Sequence, residues 1–332
     1  MAQFDIVIPL YRPRWNTRAV MEGLVTHYQP RAIHIVTPDS QVSALQQQAK
    51  AWQAPALHIH PEDSFFVATC GLSKDEICAE LDMGESLYNP GWFYQQLLKL
   101  GAPEGIPGLS EWYVVWDSDL LPVDTWPLLR PTPNGEEHAF ALLQHNQWGN
   151  PKIVSTWAHW IRTVLEVEPF TDAEGTFIPH HMWFKQAHLD SFKRQVGQYF
   201  KSDDSWLRLM MRSANEFGTF SEYWAYVSWV AAKAPEDLAF YPYGEYGATT
   251  ERFFDDGTGL FSAALRKGLT SATADSPSYK AVEAFIRSAY GADELPSSLS
   301  FESSPRHLKK DAANMHIEES RSRWNPRMAD SV

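Results

Sequence analysis

The chain is expected to fold as an α/β protein: a mixed, mainly parallel sheet flanked by helices, followed by a helical C-terminal extension. Three observations carry this. Apolar runs alternate with helical patterns over roughly the first 60 residues, as in right-handed βαβ units. A further apolar run, Tyr113-Val114-Val115-Trp116, reads as a buried strand and stops on Asp117-Ser118-Asp119. The 332 residues are 44% apolar and 21% charged, so the chain can bury a sizeable core and is not disordered.

Phe4–Pro9 is the first strand, and Leu10-Tyr11-Arg12-Pro13-Arg14-Trp15 the loop after it. Thr17–Tyr28 follows as a helix with Asn16 as its N-cap. Ala32–Pro38 is a second buried strand, Ser40 caps a helix running to Trp52, and Ala56–His60 is a short third strand. Asn89–Leu100 is a helix entered through a turn, and the strand ending at the Asp pair comes next. Ala139–Gln144 is another strand and Val154–Val167 an aromatic-bearing helix. Thr176–Pro179 leads through His180 and His181 into a helix from about Lys185. Ser221 caps a helix opened by Glu222-Tyr223-Trp224. Past residue 240 Gly, Ser and Asp increase. This divides a main domain, 1–240, from an extension, 241–332, which is helical over Pro277–Tyr290 and then charged and irregular.

Lys and Arg number 28 against 41 Asp and Glu, a formal charge of −13, which argues against a nucleic-acid partner. The start of the chain lacks the basic region of a signal peptide, and no apolar run approaches the ~20 residues of a transmembrane segment. Cys70 and Cys78 fit neither a zinc spacing nor a disulfide framework. A reducing, cytoplasmic compartment is expected, with peripheral membrane contact left open. The 14 Trp, 13 Tyr and 18 Phe are mostly core residues, and they incline the reading only slightly toward carbohydrate.

On a strand, residues two apart share a face, so Asp117 and Asp119 should converge where the strand emerges. Two carboxylates there make a hard-oxygen site suited to Mg²⁺ or Mn²⁺ with a phosphate. The bland alternative, a polar strand end before a turn, is common for an isolated Asp-x-Asp. Ligands of open parallel sheets bind beyond the carboxyl ends of the strands, where the Asp pair and the Pro9–Arg14 loop both lie.

At these residues the chain resembles the GT-A glycosyltransferases of the nucleotide-diphospho-sugar transferase superfamily. The resemblance rests on Ile6-Val7-Ile8-Pro9, on Gly91-Trp92-Phe93-Tyr94-Gln95-Gln96-Leu97-Leu98-Lys99, and on Val114-Val115-Trp116-Asp117-Ser118-Asp119. Within the superfamily it is similar to a poorly characterised family carrying Tyr-Gln-Gln-x-x-Lys, Asp-x-Asp, His-His-Met and Ser-Glu-Tyr segments. The resemblance covers about two-thirds of the chain. It implies a GT-A-like domain over 1–240 and a metal-dependent transfer of sugar from a nucleotide-diphosphate sugar to a hydroxyl acceptor (a glycan, a lipid or a small molecule).

The implied cofactor is Mn²⁺ or Mg²⁺. Asp119 would be its ligand, and Asp117 would reach the ribose or, through water, the metal. His316 is the counterpart of a third ligand that some members supply near the C-terminus, although Asn314-Met315-His316-Ile317 departs from their pattern. Pro9, Tyr11, Arg12 and Ser118 would border the donor, and Arg14 could also reach its diphosphate. Gln95, Gln96 and Lys99 lie within one helical turn and would contact sugar and diphosphate, or else form a solvated stripe. His180 or His181 would meet acceptor, phosphate or metal; adjacent residues on an extended segment face opposite ways, so at most one points in. Glu222, at a helix start, is the implied catalytic base.

Two other readings stay open. One is a haloacid-dehalogenase-type phosphohydrolase with Asp117 as nucleophile, against which stand Leu121 after the motif and its mid-chain position. The other is an inactive nucleotide- or sugar-binding protein of the same fold.

Overall fold

The computed structural model describes residues 4–54, 56–81, 90–125, 128–131, 138–143, 151–171, 180–241, 277–290 and 298–300. Its centre is a five-stranded sheet in the order β3-β2-β1-β4-β8. The strands are β1 (Asp5–Pro9), β2 (Ala32–Thr37), β3 (Leu57–Pro61), β4 (Trp112–Trp116) and β8 (His181–Lys185). All neighbours run parallel except β4 and β8, which are antiparallel, so the sheet is mixed and mainly parallel as expected. The sequence explains the order: β1 and β2 are buried along their whole length, as central strands flanked on both faces must be. By contrast β3, Leu-His-Ile-His-Pro, is half-exposed and closes the sheet at one edge.

The helices are α1 (Thr17–Tyr28), α2 (Asp39–Ala51), α3 (Val67–Cys70), α4 (Lys74–Glu80), α5 (Pro90–Leu100), α6 (Ala102–Gly105), α7 (Pro151–Trp160), α8 (Gln186–Phe200), α9 (Trp206–Phe217), α10 (Glu222–Lys233) and α11 (Tyr279–Tyr290). Two smaller sheets complete the described residues. In one, β5 (Leu120–Pro122) pairs with β10 (Ser298–Ser300); in the other, β6 (Leu129–Pro131), β7 (His138–Leu143) and β9 (Leu238–Tyr241) lie side by side. From the C-terminal region, Tyr279 of α11 hydrogen-bonds His27 of α1 through its hydroxyl at 2.6 Å, and its N–H donates to Glu22 at 2.7 Å.

The core is aromatic. Trp116, Trp160, Trp183, Trp224, Tyr113 and Phe93 are fully buried, and each ring of this size removes a large apolar area from water. No helix among the described residues is long and apolar enough to cross a membrane.

Several local expectations are corrected. Asn16 sits at the N-cap position in a helical conformation and makes no cap hydrogen bond; Thr17 Oγ1 instead accepts from the Arg14 N–H at 2.7 Å. The next helix starts at Asp39 after Pro38, so Ser40 is inside it. The helix from Pro151 widens into a π-helical turn at Ile161–Leu165 and stops there. His181–Lys185, which leads into the expected helix (Gln186–Phe200), is itself a strand. Its apolar run, Met182-Trp183-Phe184, is shorter than the runs that mark a buried strand in sequence. α9 has no counterpart in the sequence reading, and residues 172–179 and His316 lie outside the described residues.

Candidate metal centre

The strand carrying the Asp pair ends one residue early. β4 stops at Trp116, and Asp117-Ser118-Asp119 forms a turn closed by the Leu120 N–H donating to the Asp117 carbonyl at 3.1 Å. The two acids therefore converge through a turn and not through strand alternation. The Asp117 N–H donates to the His180 carbonyl at 2.8 Å, continuing the β4–β8 ladder by one rung. That rung carries the imidazole to the acids. His180 Nδ1 lies 3.2 Å from Asp117 Oδ2, and one donor atom each from Asp117, Asp119 and His180 lie within 4.8 Å of one another. His181 turns the other way and stacks on Trp116 at 4.9 Å, so a single imidazole enters the site.

Lys99 and Glu222 join this centre from two helices. Lys99 Nζ stands 3.0 Å from Asp117 Oδ1 and 2.9 Å from Glu222 Oε1, over the Tyr223 ring at 4.3 Å. Lys99 and Glu222 are both buried, so the polar face of α5 is not a solvated stripe. Ser221 Oγ accepts from the Trp224 N–H as the expected cap, which places Glu222 at the helix start. Burial works against the Lys99 ammonium, but Asp117 and then Glu222 outweigh it and hold its pKa well above the ordinary value. Burial likewise opposes the Asp117 carboxylate, yet Lys99 and His180 hold its pKa far below the usual range. Both groups are charged at neutral pH.

The first loop contributes one guanidinium. Burial lowers the Arg14 pKa, the Asp119 carboxylate opposes that shift, and Arg12 adds to it, so Arg14 lies within the field of Asp119. Of the other expected donor contacts, Pro9 is buried at the end of β1 and Ser118 is half-buried in the turn, whereas Tyr11 and Arg12 are exposed. Gln95 is half-buried. Gln96 is buried and neither of its amide atoms has a protein partner. Asn16 and Thr37 Oγ1, at or just beyond the carboxyl ends of β1 and β2, are buried and equally unpartnered. Such groups cost free energy unless something bonds them. In sequence Asn16 and Thr37 read only as a helix cap and a strand end.

The donor set fits a divalent ion. Bonds of about 2.1 Å place opposite ligands about 4.2 Å apart, so donors within 4.8 Å need close by only a few tenths of an ångström. Two carboxylates and one imidazole form a mixed oxygen and nitrogen set, which suits Mn²⁺ better than Mg²⁺.

The chain belongs to DUF6492, a family of unknown function, whose model matches residues 4–253. No curated protein matches its sequence. Among solved structures, it is similar to the apo form of mouse xyloside xylosyltransferase 1, with 12% identity over 76% of this chain and 87% of that one and a TM-score of 0.39. It is similar to the galactosyltransferase LgtC in complex with donor and acceptor sugar analogues, with 10% identity over 99% and 96% of the two chains and a TM-score of 0.42. It is also similar to the apo glycosyltransferase GlyE of Streptococcus pneumoniae TIGR4, with 11% identity, 91% of this chain, 55% of that one and a TM-score of 0.38. Likenesses of this size carry no argument about chemistry, which rests on the site itself.

Proposed function

We propose that the chain transfers a sugar from a nucleotide-diphosphate sugar to a hydroxyl acceptor, using a divalent cation held by Asp117, Asp119 and His180. The observation that carries this reading is the convergence of those three donors at the carboxyl end of a strand in a mainly parallel sheet, where such folds bind nucleotides. The bound cation would supply Lewis-acid stabilisation of charge on the departing diphosphate. Arg14, near Asp119, adds positive charge for the same group. The unpartnered side-chain amides of Gln96 and Asn16 and the Thr37 hydroxyl offer buried hydrogen bonds to base, ribose or sugar.

Glu222 is the proposed base. Lys99 occupies its Oε1, leaving Oε2 for the acceptor hydroxyl. The acceptor oxygen bonds to the sugar carbon as that carbon's bond to the diphosphate oxygen breaks. The electron pair leaves with the diphosphate, and the hydroxyl proton passes to Glu222.

Alanine at Asp117 or Asp119 should abolish Mn²⁺-dependent binding of UDP or GDP by calorimetry and cut turnover by about 10²–10³-fold. Glu222→Gln should lower turnover while leaving nucleotide affinity near that of the parent. Nucleotide affinity and turnover unchanged in both Asp variants would remove the basis of the proposal.

A further inference from the structure

A second constellation lies away from the metal centre, on the outer edge of the sheet. His58 and His60 are two apart on β3 and so share a face. His34 of β2 is the register partner of His58, which brings three of the chain's 12 histidines onto one patch of two adjacent strands. His34 Nδ1 and His60 Nε2 face each other at 3.0 Å. The His58 ring stacks on His34 with centroids 5.2 Å apart.

Behind His34 stands a carboxylate. Asp5 Oδ2 is 3.7 Å from the buried His34 Nε2, which has no hydrogen-bond partner. Asp5 is itself held by Arg31, whose Nε donates to Oδ1 at 2.9 Å, and by the Ser110 N–H at 2.9 Å. A carboxylate behind one ring nitrogen favours the proton there and leaves the lone pair on the other, here Nδ1, which faces His60.

We propose that His34 Nδ1, His60 Nε2 and His58 bind a borderline divalent transition ion, Zn²⁺ foremost, with Asp5 orienting His34 from behind. Zinc–nitrogen bonds of about 2.0–2.1 Å in tetrahedral geometry place donors about 3.3 Å apart, so the facing pair opens by only about 0.3 Å. His58 is exposed and reaches the ion by a side-chain rotation. The fourth position faces an open groove of about 950 Å³ between α2 and β3, lined by Gln46, Lys50 and Gln53 as well as His58 and His60. Three imidazoles without a carboxylate ligand select zinc, cobalt, nickel or copper over Mn²⁺ and Mg²⁺. The edge patch and the Asp117 centre therefore call for different ions.

The test is Zn²⁺ titration by calorimetry on the full chain carrying Asp119→Asn, which removes a ligand of the other centre. One Zn²⁺ should bind. His58→Gln in the same background should weaken it by about 10-fold or more, and His60→Gln should abolish it. Co²⁺ should give the intense visible absorption of a four-coordinate site, lost in the same variants. Because His58 is exposed, its variant keeps the fold, which circular dichroism verifies. Zinc affinity unchanged by His58→Gln combined with His60→Gln, or no zinc bound by the Asp119→Asn chain, would overturn the assignment.

Discussion

The centre at the end of β4 and the patch on the edge at β3 are assembled from the same three kinds of group, buried to different degrees. At the first, the Lys99 ammonium and the His180 imidazole are both buried against Asp117, whose carboxylate is the most exposed of the three. At the second, Asp5 and His34 are buried, Arg31 holds Asp5 from a half-exposed position, and His58 is exposed at the edge. A carboxylate in front presents hard oxygen, and an imidazole in front presents borderline nitrogen. The group turned to the open side would then decide which ion each place selects. Burial differs too. Lys99 is almost wholly enclosed with two carboxylates, whereas the Arg31 side chain is 44% exposed while its partner Asp5 is fully buried.

That difference in burial makes the first way to break the comparison the one with the largest effect. Lys99→Met strands Asp117 and Glu222 as buried, uncompensated charges and should cost about 3–5 kcal/mol in urea unfolding. Arg31→Met removes charged hydrogen bonds from Asp5 at a half-exposed position and should cost less, about 1–3 kcal/mol. Equal losses in the two variants would erase the distinction between an enclosed and a half-open cation.

Acid titration sharpens it next. Burial opposes the Asp5 carboxylate, but His34, Arg31 and Ser110 together hold its folded pKa well below the ordinary carboxylate value. A depressed folded pKa contributes stability that is present above the unfolded value, about 3.9, and lost as pH falls toward the folded one. Stability measured by urea unfolding should thus drop below about pH 4, with Asp5 contributing a slope of up to about 1.4 kcal/mol per pH unit that Asp5→Asn removes. An unaltered acid slope in that variant would show that Asp5 carries no such linkage.

The smallest effect belongs to the exposed imidazole. His58→Gln without added metal should change stability by no more than about 0.5 kcal/mol, because the side chain is exposed. The rise in thermal midpoint on adding Zn²⁺ should nevertheless be reduced in this variant. A large metal-free loss would make His58 part of the strand's packing instead of a free ligand.

Much of the framework was legible from local pattern. The three opening strands, the helix over Thr17–Tyr28, the helix ending at Leu100, the cap at Ser221 and the helix ending at Tyr290 follow from apolar periodicity and capping chemistry, which act over a few residues. The Asp pair was legible as a candidate, but for a reason that the fold replaced: its acids meet in a turn. β8 was not legible, because its apolar run, Met182-Trp183-Phe184 between His181 and Lys185, is shorter than the runs that mark a buried strand. The edge histidines gave no signal either, since His34 lies 26 residues from His60.

The sequence by itself determined which segments bury and which residue types could carry charge chemistry, because side-chain polarity and backbone periodicity are properties of neighbours in the chain. Only the tertiary structure decided partnership. Lys99 meets Glu222 across 123 residues, and His180 meets Asp117 across 63. Those contacts depend on sheet order, on the antiparallel turn of β8 and on the packing of α5 against α10. A charge is buried at tolerable cost only where the fold brings its counter-charge to within hydrogen-bonding distance, and no local pattern encodes that distance.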